Sequence, residues 1–302
     1  RLSAPGQIAL TAADGQVSTI QTRNVVLATG SRCSDLPFIK MDHTHILNSD
    51  DILEIQTVPP RLLVMGAGAV GSEFASIFAR LGSKVDLIEL QDRVLPMEDD
   101  EICAAVAKSF SRQGITIHTS TKVASVQRDG DTVRVEIEKA GGAKSTLVGD
   151  ILLVAVGRAP VTNDLGLEKL GVKADAKGYV DADDHYRTST PNIYAIGDII
   201  RTPAYAHTAS HEGTLAMDHI AGKHVHTINY DHTPNCTFTH PEVGSVGLTE
   251  REARKRGLDV KTATFPMTAN GKAKIAQETD GLIKIVVDRK YDEVLGLHIC
   301  GH

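Results

Sequence analysis

The chain has 302 residues, 41% of them apolar, and a formal net charge of −6. Its lysines and arginines are scattered among acids without a basic stripe, which argues against a nucleic-acid footprint, and no apolar run reaches the roughly 18 residues of a membrane span. What remains is a globular protein able to bury large cores in two or three domains, with no nucleic acid and no membrane among its expected partners. The opening residues, Arg1-Leu2-Ser3-Ala4-Pro5, contain neither an initiator Met nor an apolar signal segment, so the chain reads as an internal fragment of something longer. Four dispersed cysteines, Cys33, Cys103, Cys236 and Cys300, form no CxxC, CxxxxC or zinc spacing. They suit a reducing cytoplasm, and each is read as a small buried hydrophobe. Among 13 histidines there is no HExxH, and His224-Val225-His226 falls in an expected surface loop, so no metal is predicted.

In chain order, residues 7–11 and 16–21 read as strands joined by the Asp14-Gly15 turn, and Asn24 to Ala28 as a buried strand ending in Thr29-Gly30-Ser31. A buried strand that stops in Thr-Gly-Ser delivers the chain toward a ligand. The stretch from Pro37 to Asp51 reads as a linker, Pro59-Pro60 as a break, and a new domain is expected to begin near Ser49. Within it the pattern predicts strand 61–65, helix 71–81, strand 84–89, helix 99–113 and strand 115–118, then strands 122–128, 132–139 and 144–148, and a buried strand 150–156. Alternating strands and helices with right-handed crossovers give a parallel sheet whose ligand lies at the strands' carboxyl edge, where Gly157 falls. Gly157 lets the backbone pass close to a cofactor or merely ends a strand; Arg158 reads as a structural ion-pair partner. Further on, Gly178 to Asp181 enter short strands, and the strand 193–196 carries Gly197-Asp198 to an edge. There Asp198 can hold a sugar hydroxyl or serve only as a helix cap. Residues 207–221 read as a helix with Ala216, Met217 and Ile220 on its apolar face and a positive dipole end near Ala204 to His207. From about Tyr230, strands 236–240, 243–248, 260–265, 281–288 and 294–299 surround a helix, 249–256, whose Thr249 and Glu252 make a capping box.

The densest signal is Met65-Gly66-Ala67-Gly68-Ala69-Val70-Gly71-Ser72-Glu73. With 26 glycines in the chain, a bare GxGxxG arises by chance roughly 0.2 times, so its weight comes from context: a buried strand before it, a helix after it, and Glu89 at the end of the next strand. Gly66 permits a tight turn, Gly68 lets the backbone approach a pyrophosphate, and Gly71 allows the helix to lie close on the strand. The unpaired amides of the helix N-terminus then face phosphate charge. A carboxylate at Glu89 accepts hydrogen bonds from an adenosine ribose and repels a 2′-phosphate, which favours NAD over NADP.

Five stretches coincide in order: Ala28-Thr29-Gly30-Ser31, the Gly66 to Glu73 turn with Glu89, Ala155-Val156-Gly157-Arg158-Ala159-Pro160, Ala195-Ile196-Gly197-Asp198, and Thr239-His240-Pro241-Glu242 leading to Ser245-Val246-Gly247-Leu248-Thr249. Together they resemble the pyridine nucleotide-disulphide oxidoreductases over essentially the whole chain. Within that family the likeness is greatest to the dihydrolipoamide dehydrogenase branch, to which Ala206-His207, Glu212-Gly213 and Phe265 to Asn270 also correspond. The resemblance implies an α/β fold of two Rossmann-like dinucleotide-binding domains and a C-terminal α+β dimerisation domain. Residues 1–48 and 173–228 would form an incomplete FAD domain, residues 49–172 a complete NAD domain, and residues 229–302 a truncated interface domain.

It further implies two cofactors, FAD and NAD, passing electrons from a dithiol through flavin to nicotinamide. Carried over by position, Thr29, Gly30 and Ser31 would lie along FAD, Asp198 would bind its ribityl chain, and Ala204, Tyr205, Ala206 and His207 would cover the isoalloxazine; Tyr205 stands where the family usually has Leu. The residues Gly66, Ala67, Gly68, Ala69, Val70, Gly71 and Ser72 would hold the NAD pyrophosphate. Glu73 would stand by the nicotinamide, Glu89 on the adenosine ribose, Val123 against the adenine, and Gly157 near the nicotinamide half. The family's first GxGxxG, its redox CxxxxC and its His-Glu base are absent from this sequence. No catalytic residue is therefore expected here, and the chain as given should not turn over dihydrolipoamide. The implied activity of the whole protein is oxidation of protein-bound dihydrolipoyl groups by NAD, with a lipoyl-bearing protein or domain of a 2-oxo acid dehydrogenase complex and a second copy of the chain as partners. Mercuric reductase, pyridine nucleotide transhydrogenase and a non-catalytic nucleotide-binding module are the alternatives; glutathione reductase is disfavoured because no arginine cluster follows Glu89 to meet a 2′-phosphate, only Arg93 lying near.

Overall fold

The computed structural model describes residues 1–301, and their contacts divide them into two compact units. One comprises Arg1–Ser34 with Arg158–Thr233, the other Asp35–Gly157 with Pro234 onward. The sequence-based boundaries lie at 48/49, 172/173 and 228/229, so the divisions differ by up to 15 residues. The reason is local. Ile46–Leu47, inside the stretch read as a linker, is a buried strand hydrogen-bonded in parallel to Ile151–Val154, which ties residues 35–48 to the sheet that follows.

In the larger unit five parallel strands run in the order Ile46–Leu47, Ile151–Val154, Arg61–Met65, Lys84–Ile88, Thr116–His118. The central strands are apolar runs because helices or further strands cover both faces. Leu62, Val64 and Leu87 pack with Ala75 and Phe78 of helix α1 (Ala69–Arg80) and with Ile102, Val106 and Phe110 of helix α2 (Asp100–Arg112). Leu63, Ile88 and Leu152 pack instead with Val133, Val135 and Ile137 of the antiparallel meander Thr121–Asp129, Thr132–Lys139, Lys144–Gly149. The alternating burial of Val133, Val135 and Ile137 is the period-2 pattern of a strand with one covered face.

The C-terminal part forms a second, antiparallel sheet of five strands, Asn235–Thr237, Val243–Gly247, Val294–Cys300, Leu282–Asp288 and Val260–Pro266 in that order. Half of the expected capping box forms: Thr249 Oγ1 accepts the Glu252 N–H at 3.1 Å, while the Glu252 carboxylate accepts from Arg256 Nε at 3.3 Å. A short helix, Gly271–Ala276, was not expected from the sequence; the Asn270 side chain caps it. This sheet shares its packing with the parallel-sheet core, since Val243 and Cys300 belong to the same buried cluster as Leu62 and Phe110.

The smaller unit holds an antiparallel ribbon (Leu2–Ala4, Gln7–Thr11, Val17–Gln21), a parallel pair (Val25–Leu27 with Ile193–Ala195) and an antiparallel pair (Ser31–Cys33 with Arg158–Pro160). Around Gly178 to Thr188, where short strands were expected, only single bridges form. Helix α3, Ala206–Ile220, turns Thr208, Glu212 and Ala216 inward, four residues apart on one face. The expectation for that face was partly mistaken: Ala216 is buried, but Met217 is 56% exposed. Among the described residues no helix is long and apolar enough to cross a membrane.

Candidate functional site

The turn after Arg61–Met65 is built by sterics at two glycines. Gly66 has φ +102°, and a Cβ there would sit 2.6 Å from the Ala155 carbonyl oxygen. A Cβ on Gly71 would lie 1.8 Å from the Gly66 carbonyl oxygen, so only glycine lets α1 start this close to the strand. Gly68 is the N-cap of α1, in extended conformation with no side-chain cap and open space where a Cβ would stand. The helix begins at Ala69, two residues earlier than the sequence pattern suggested. The first-turn amides of Ala69, Val70 and Gly71 thus have no preceding turn to bond, and they present partial positive charge beside an uncluttered loop. Ser72 is buried and its hydroxyl donates to the Ala67 carbonyl at 3.1 Å, pinning the loop from within.

Glu89 does more than end its strand. Its Oε2 accepts the Ala67 N–H at 2.6 Å and its Oε1 the Gln91 N–H at 2.8 Å. The carboxylate therefore braces the glycine turn it faces, a tertiary role that nothing in the local pattern announces. Two oxygens offer about four acceptor positions, so two remain for a ligand. Glu89 lines a cleft of about 530 Å³ together with Gly66, Gly68, Val123 and Gly157. Val123 is 4% exposed in the meander, and Gly157 has φ +106° at the sheet's carboxyl edge. Leu36 and Phe38 also line the cleft, although Phe38 falls in the stretch from Pro37 that reads as a linker. Arg93, the cation nearest in sequence, forms a two-pronged pair with Asp92 at 2.8 Å and a third bond to Asp100. Lys122 is the cation in the cleft wall. Glu73 is not in that wall: its Oε1 accepts the Phe238 N–H at 2.8 Å, linking α1 to the C-terminal sheet.

In the smaller unit the Thr-Gly-Ser turn is held from several sides. Thr29 Oγ1 donates to the Val161 carbonyl at 2.5 Å, and the Val161 N–H donates to the Gly30 carbonyl at 2.9 Å. Gly30 has φ +70° with open space around it. Ser31 Oγ donates to the Asp198 carboxylate. Arg158 donates from Nε to Ser31 Oγ at 2.6 Å and from Nη2 to the Ser31 carbonyl at 2.7 Å. Arg158 thus braces the turn through neutral acceptors, where an ion pair was expected. Asp198 is not a cap either: it sits inside the short turn Gly197–Ile199, whose N-cap is Ile196. Tyr205 is the N-cap of α3 without a side-chain cap, and its ring stacks on His207 with centroids 5.4 Å apart. Ala204 precedes that cap, and Ala206 opens the helix. In the first turn Thr208 is 3% exposed and its hydroxyl oxygen, among the described residues, has no hydrogen-bond partner. A buried orphan hydroxyl beside a helix N-terminus is a position a polar ligand can satisfy.

Cys103 and Cys300 are buried, and burial pushes both thiols up to about 12. Cys236 is exposed, against the expectation of burial. No group of three or more metal-ligating side chains occurs among the described residues.

The model of the pyridine nucleotide-disulphide oxidoreductase family matches residues 3–213, and that family's dimerisation domain matches residues 233–302. The mitochondrial dihydrolipoyl dehydrogenase of Dictyostelium discoideum is 40% identical over all of this chain, which covers 62% of that protein. The dihydrolipoyl dehydrogenase of Zymomonas mobilis is 38% identical, also over the whole chain, with 65% of its length covered. Among solved structures, LpdA from Mycobacterium tuberculosis superposes with a TM-score of 0.91 at 31% identity over all of this chain and 66% of its own. The chain thus spans somewhat under two thirds of the curated relatives it matches. With its family models matched over residues 3–213 and 233–302, this chain belongs to the pyridine nucleotide-disulphide oxidoreductases and is similar within them to the dihydrolipoyl dehydrogenases.

Proposed function

We propose that this chain is the dinucleotide-binding and interface portion of an FAD-dependent, NAD-linked oxidoreductase that oxidises protein-bound dihydrolipoyl groups. The observation that carries the reading is Glu89, a carboxylate that braces the glycine turn and still faces the cleft the turn opens on. In this reading the first-turn amides of α1 hold a diphosphate, Glu89 takes the adenosine ribose hydroxyls, and Val123 supplies apolar surface to the adenine. Gly157 leaves the sheet edge bare for the nicotinamide half, and Glu73 stands at the same end of α1. Arg93 is already paired with Asp92 and Asp100, and the Glu89 carboxylate in the cleft would repel a 2′-phosphate, which supports NAD over NADP.

In the smaller unit the open turn at Gly30, the Ser31–Asp198 pair and the orphan hydroxyl of Thr208 fit a second polar ligand, here FAD. Asp198 would take ribityl hydroxyls, with Thr29 to Ser31 alongside. The N-terminus of α3 with Ala204 to His207 would cover the flavin ring, where its dipole stabilises negative charge. Bound there, FAD supplies two-electron chemistry that no side chain of this segment provides. The sequence contains no CxxxxC, so the roles assigned to these residues are binding and orienting. The dimerisation-domain match supports a homodimer through residues 233–302, and the relatives' names support a lipoyl-bearing partner.

Calorimetric titration of the chain with NADH and NADPH tests the central assignment. Saturable NADH binding that NADPH competes for only weakly is expected; equal affinity for both, or no binding of either, refutes it.

A further inference from the structure

Glu212 is fully buried on the inner face of α3. A buried carboxylate is costly unless a cation or several donors compensate it. Among the described residues no cation pairs with Glu212. Two donors do: the Gly197 N–H reaches Oε2 at 2.6 Å, and the Tyr230 hydroxyl reaches Oε1 at 2.9 Å. The Tyr186 hydroxyl lies a further 3.5 Å from that of Tyr230, and burial raises both phenols, so they remain neutral donors.

What Glu212 grips is a turn that has little freedom of its own. Gly197 has φ +68°, and a Cβ there would meet Ala209 Cβ at 3.1 Å; a Cβ on Gly213 would meet Ile196 Cδ1 at 3.2 Å. The helix and the turn are therefore in close contact on both sides of Glu212. The residue after Gly197 is Asp198, whose carboxylate takes the Ser31 hydroxyl, which Arg158 in turn holds. The Gly197 N–H belongs to the Ile196–Gly197 peptide plane and the adjoining plane leads into Asp198, so a shift of that amide is passed to Asp198 through the Gly197 Cα.

We propose that Glu212 is a positioning residue for FAD: its carboxylate, braced by Tyr230, fixes the Gly197-Asp198 turn in the orientation from which Asp198 meets the ribityl chain. This rests on the reading that the smaller unit holds FAD. Sequence separation hides the device, since Glu212 lies 15 residues from Gly197 and 18 from Tyr230.

The test is a double-mutant cycle in the full-length protein that contains this chain, with FAD affinity read by flavin fluorescence quenching and NADH affinity read separately as a control on folding. Glu212→Ala is expected to weaken FAD binding about tenfold and leave NADH binding unchanged, while Glu212→Gln, whose amide oxygen still accepts the Gly197 N–H, loses no more than about threefold. In an Asp198→Ala background the Glu212→Ala effect should fall below about twofold, because a residue acting through Asp198 has nothing left to position. Unchanged FAD affinity in Glu212→Ala overturns the proposal. So does a tenfold loss that persists without Asp198, which marks a merely structural acid. Should Glu212→Ala fail to fold, the same cycle with Tyr230→Phe decides: an effect on FAD that vanishes in Asp198→Ala supports the proposal, and an absent or persistent effect overturns it. An unmutated full-length protein containing this chain that binds NADH but no flavin refutes the FAD reading itself, and this inference with it.

Discussion

Replacing Glu89 by Ala separates its two tasks. The carboxylate is 8% exposed and accepts backbone N–H groups from Ala67 and Gln91 at 2.6 and 2.8 Å. A hydrogen bond to a charged group contributes about 1.5–3 kcal/mol, and a donor left without an acceptor in a buried setting costs about 1–3 kcal/mol. The cleft lets water reach part of the vacated space, so the variant should lose about 2 kcal/mol of stability to urea. If the free side of the carboxylate also holds ribose hydroxyls, NADH affinity falls by about 1–3 kcal/mol, or roughly 5- to 150-fold in Kd. Affinity for NADPH should fall less, because the repulsion of its 2′-phosphate goes with the charge. Glu89→Gln keeps an acceptor for one of the two amides and should lie between. Calorimetric titration at two salt concentrations, with urea unfolding alongside, reads both quantities. A stability loss with unchanged NADH affinity would show that Glu89 braces the turn and nothing more.

Three further outcomes are expected. Gly71→Ala places a Cβ 1.8 Å from the Gly66 carbonyl oxygen; since backbone cannot yield cheaply, it should cost about 3 kcal/mol or more in urea unfolding and abolish NADH binding. Lys284→Met leaves Asp99, 1% exposed, without its ammonium partner at 3.0 Å and should cost about 3–5 kcal/mol. Burial acts to raise the Asp99 carboxyl, but the Lys284 ammonium and the Glu101 and Glu250 amides outweigh it and hold it below its ordinary value of 3.8. Its contribution is therefore present above that value and lost as pH falls through the depressed one. For Lys284, burial acts to lower the pKa and its three carboxylate partners outweigh it, so its contribution persists below its ordinary 10.5 and fades only above it. The stability difference between the two proteins should be flat from about pH 5 to 9 and shrink below about pH 4, as urea unfolding across pH will show. Finally, iodoacetamide at pH 8 followed by mass spectrometry should label exposed Cys236 well before Cys103 and Cys300, whose buried thiols are pushed up to about 12; equal labelling in the native protein contradicts that burial.

The parts legible in the sequence are those whose cause is local. Strand Arg61–Met65, the glycines at 66, 68 and 71, helix α1 and the strand before Glu89 occupy fewer than thirty consecutive residues. Each is dictated by side-chain periodicity, φ or close approach over a few positions. The meander likewise declares itself through alternating burial, and the Thr249 cap through a spacing of three. Other features escaped because their signal is spread along the chain. Ile46–Leu47 is too short to show a period and becomes a strand only because Ile151–Val154 offers a free edge. Phe38 reaches the cleft from an irregular stretch. Arg158 looked like an ion-pair partner, yet its nearest acceptors lie 127 residues away on a serine.

The amino-acid order by itself determined the α/β class, the glycine turn and the acid that follows it, since hydrophobic period and backbone sterics act between neighbours. Only the tertiary structure decided that Glu89 braces the turn it faces, that Ser31 finds Asp198 across 167 residues, and that Lys284 is enclosed by Asp99, Glu101 and Glu250. The reason is that a buried polar group must take whichever partners the folded chain brings within hydrogen-bond reach, and those partners are chosen by packing over the whole unit, not by position along the sequence.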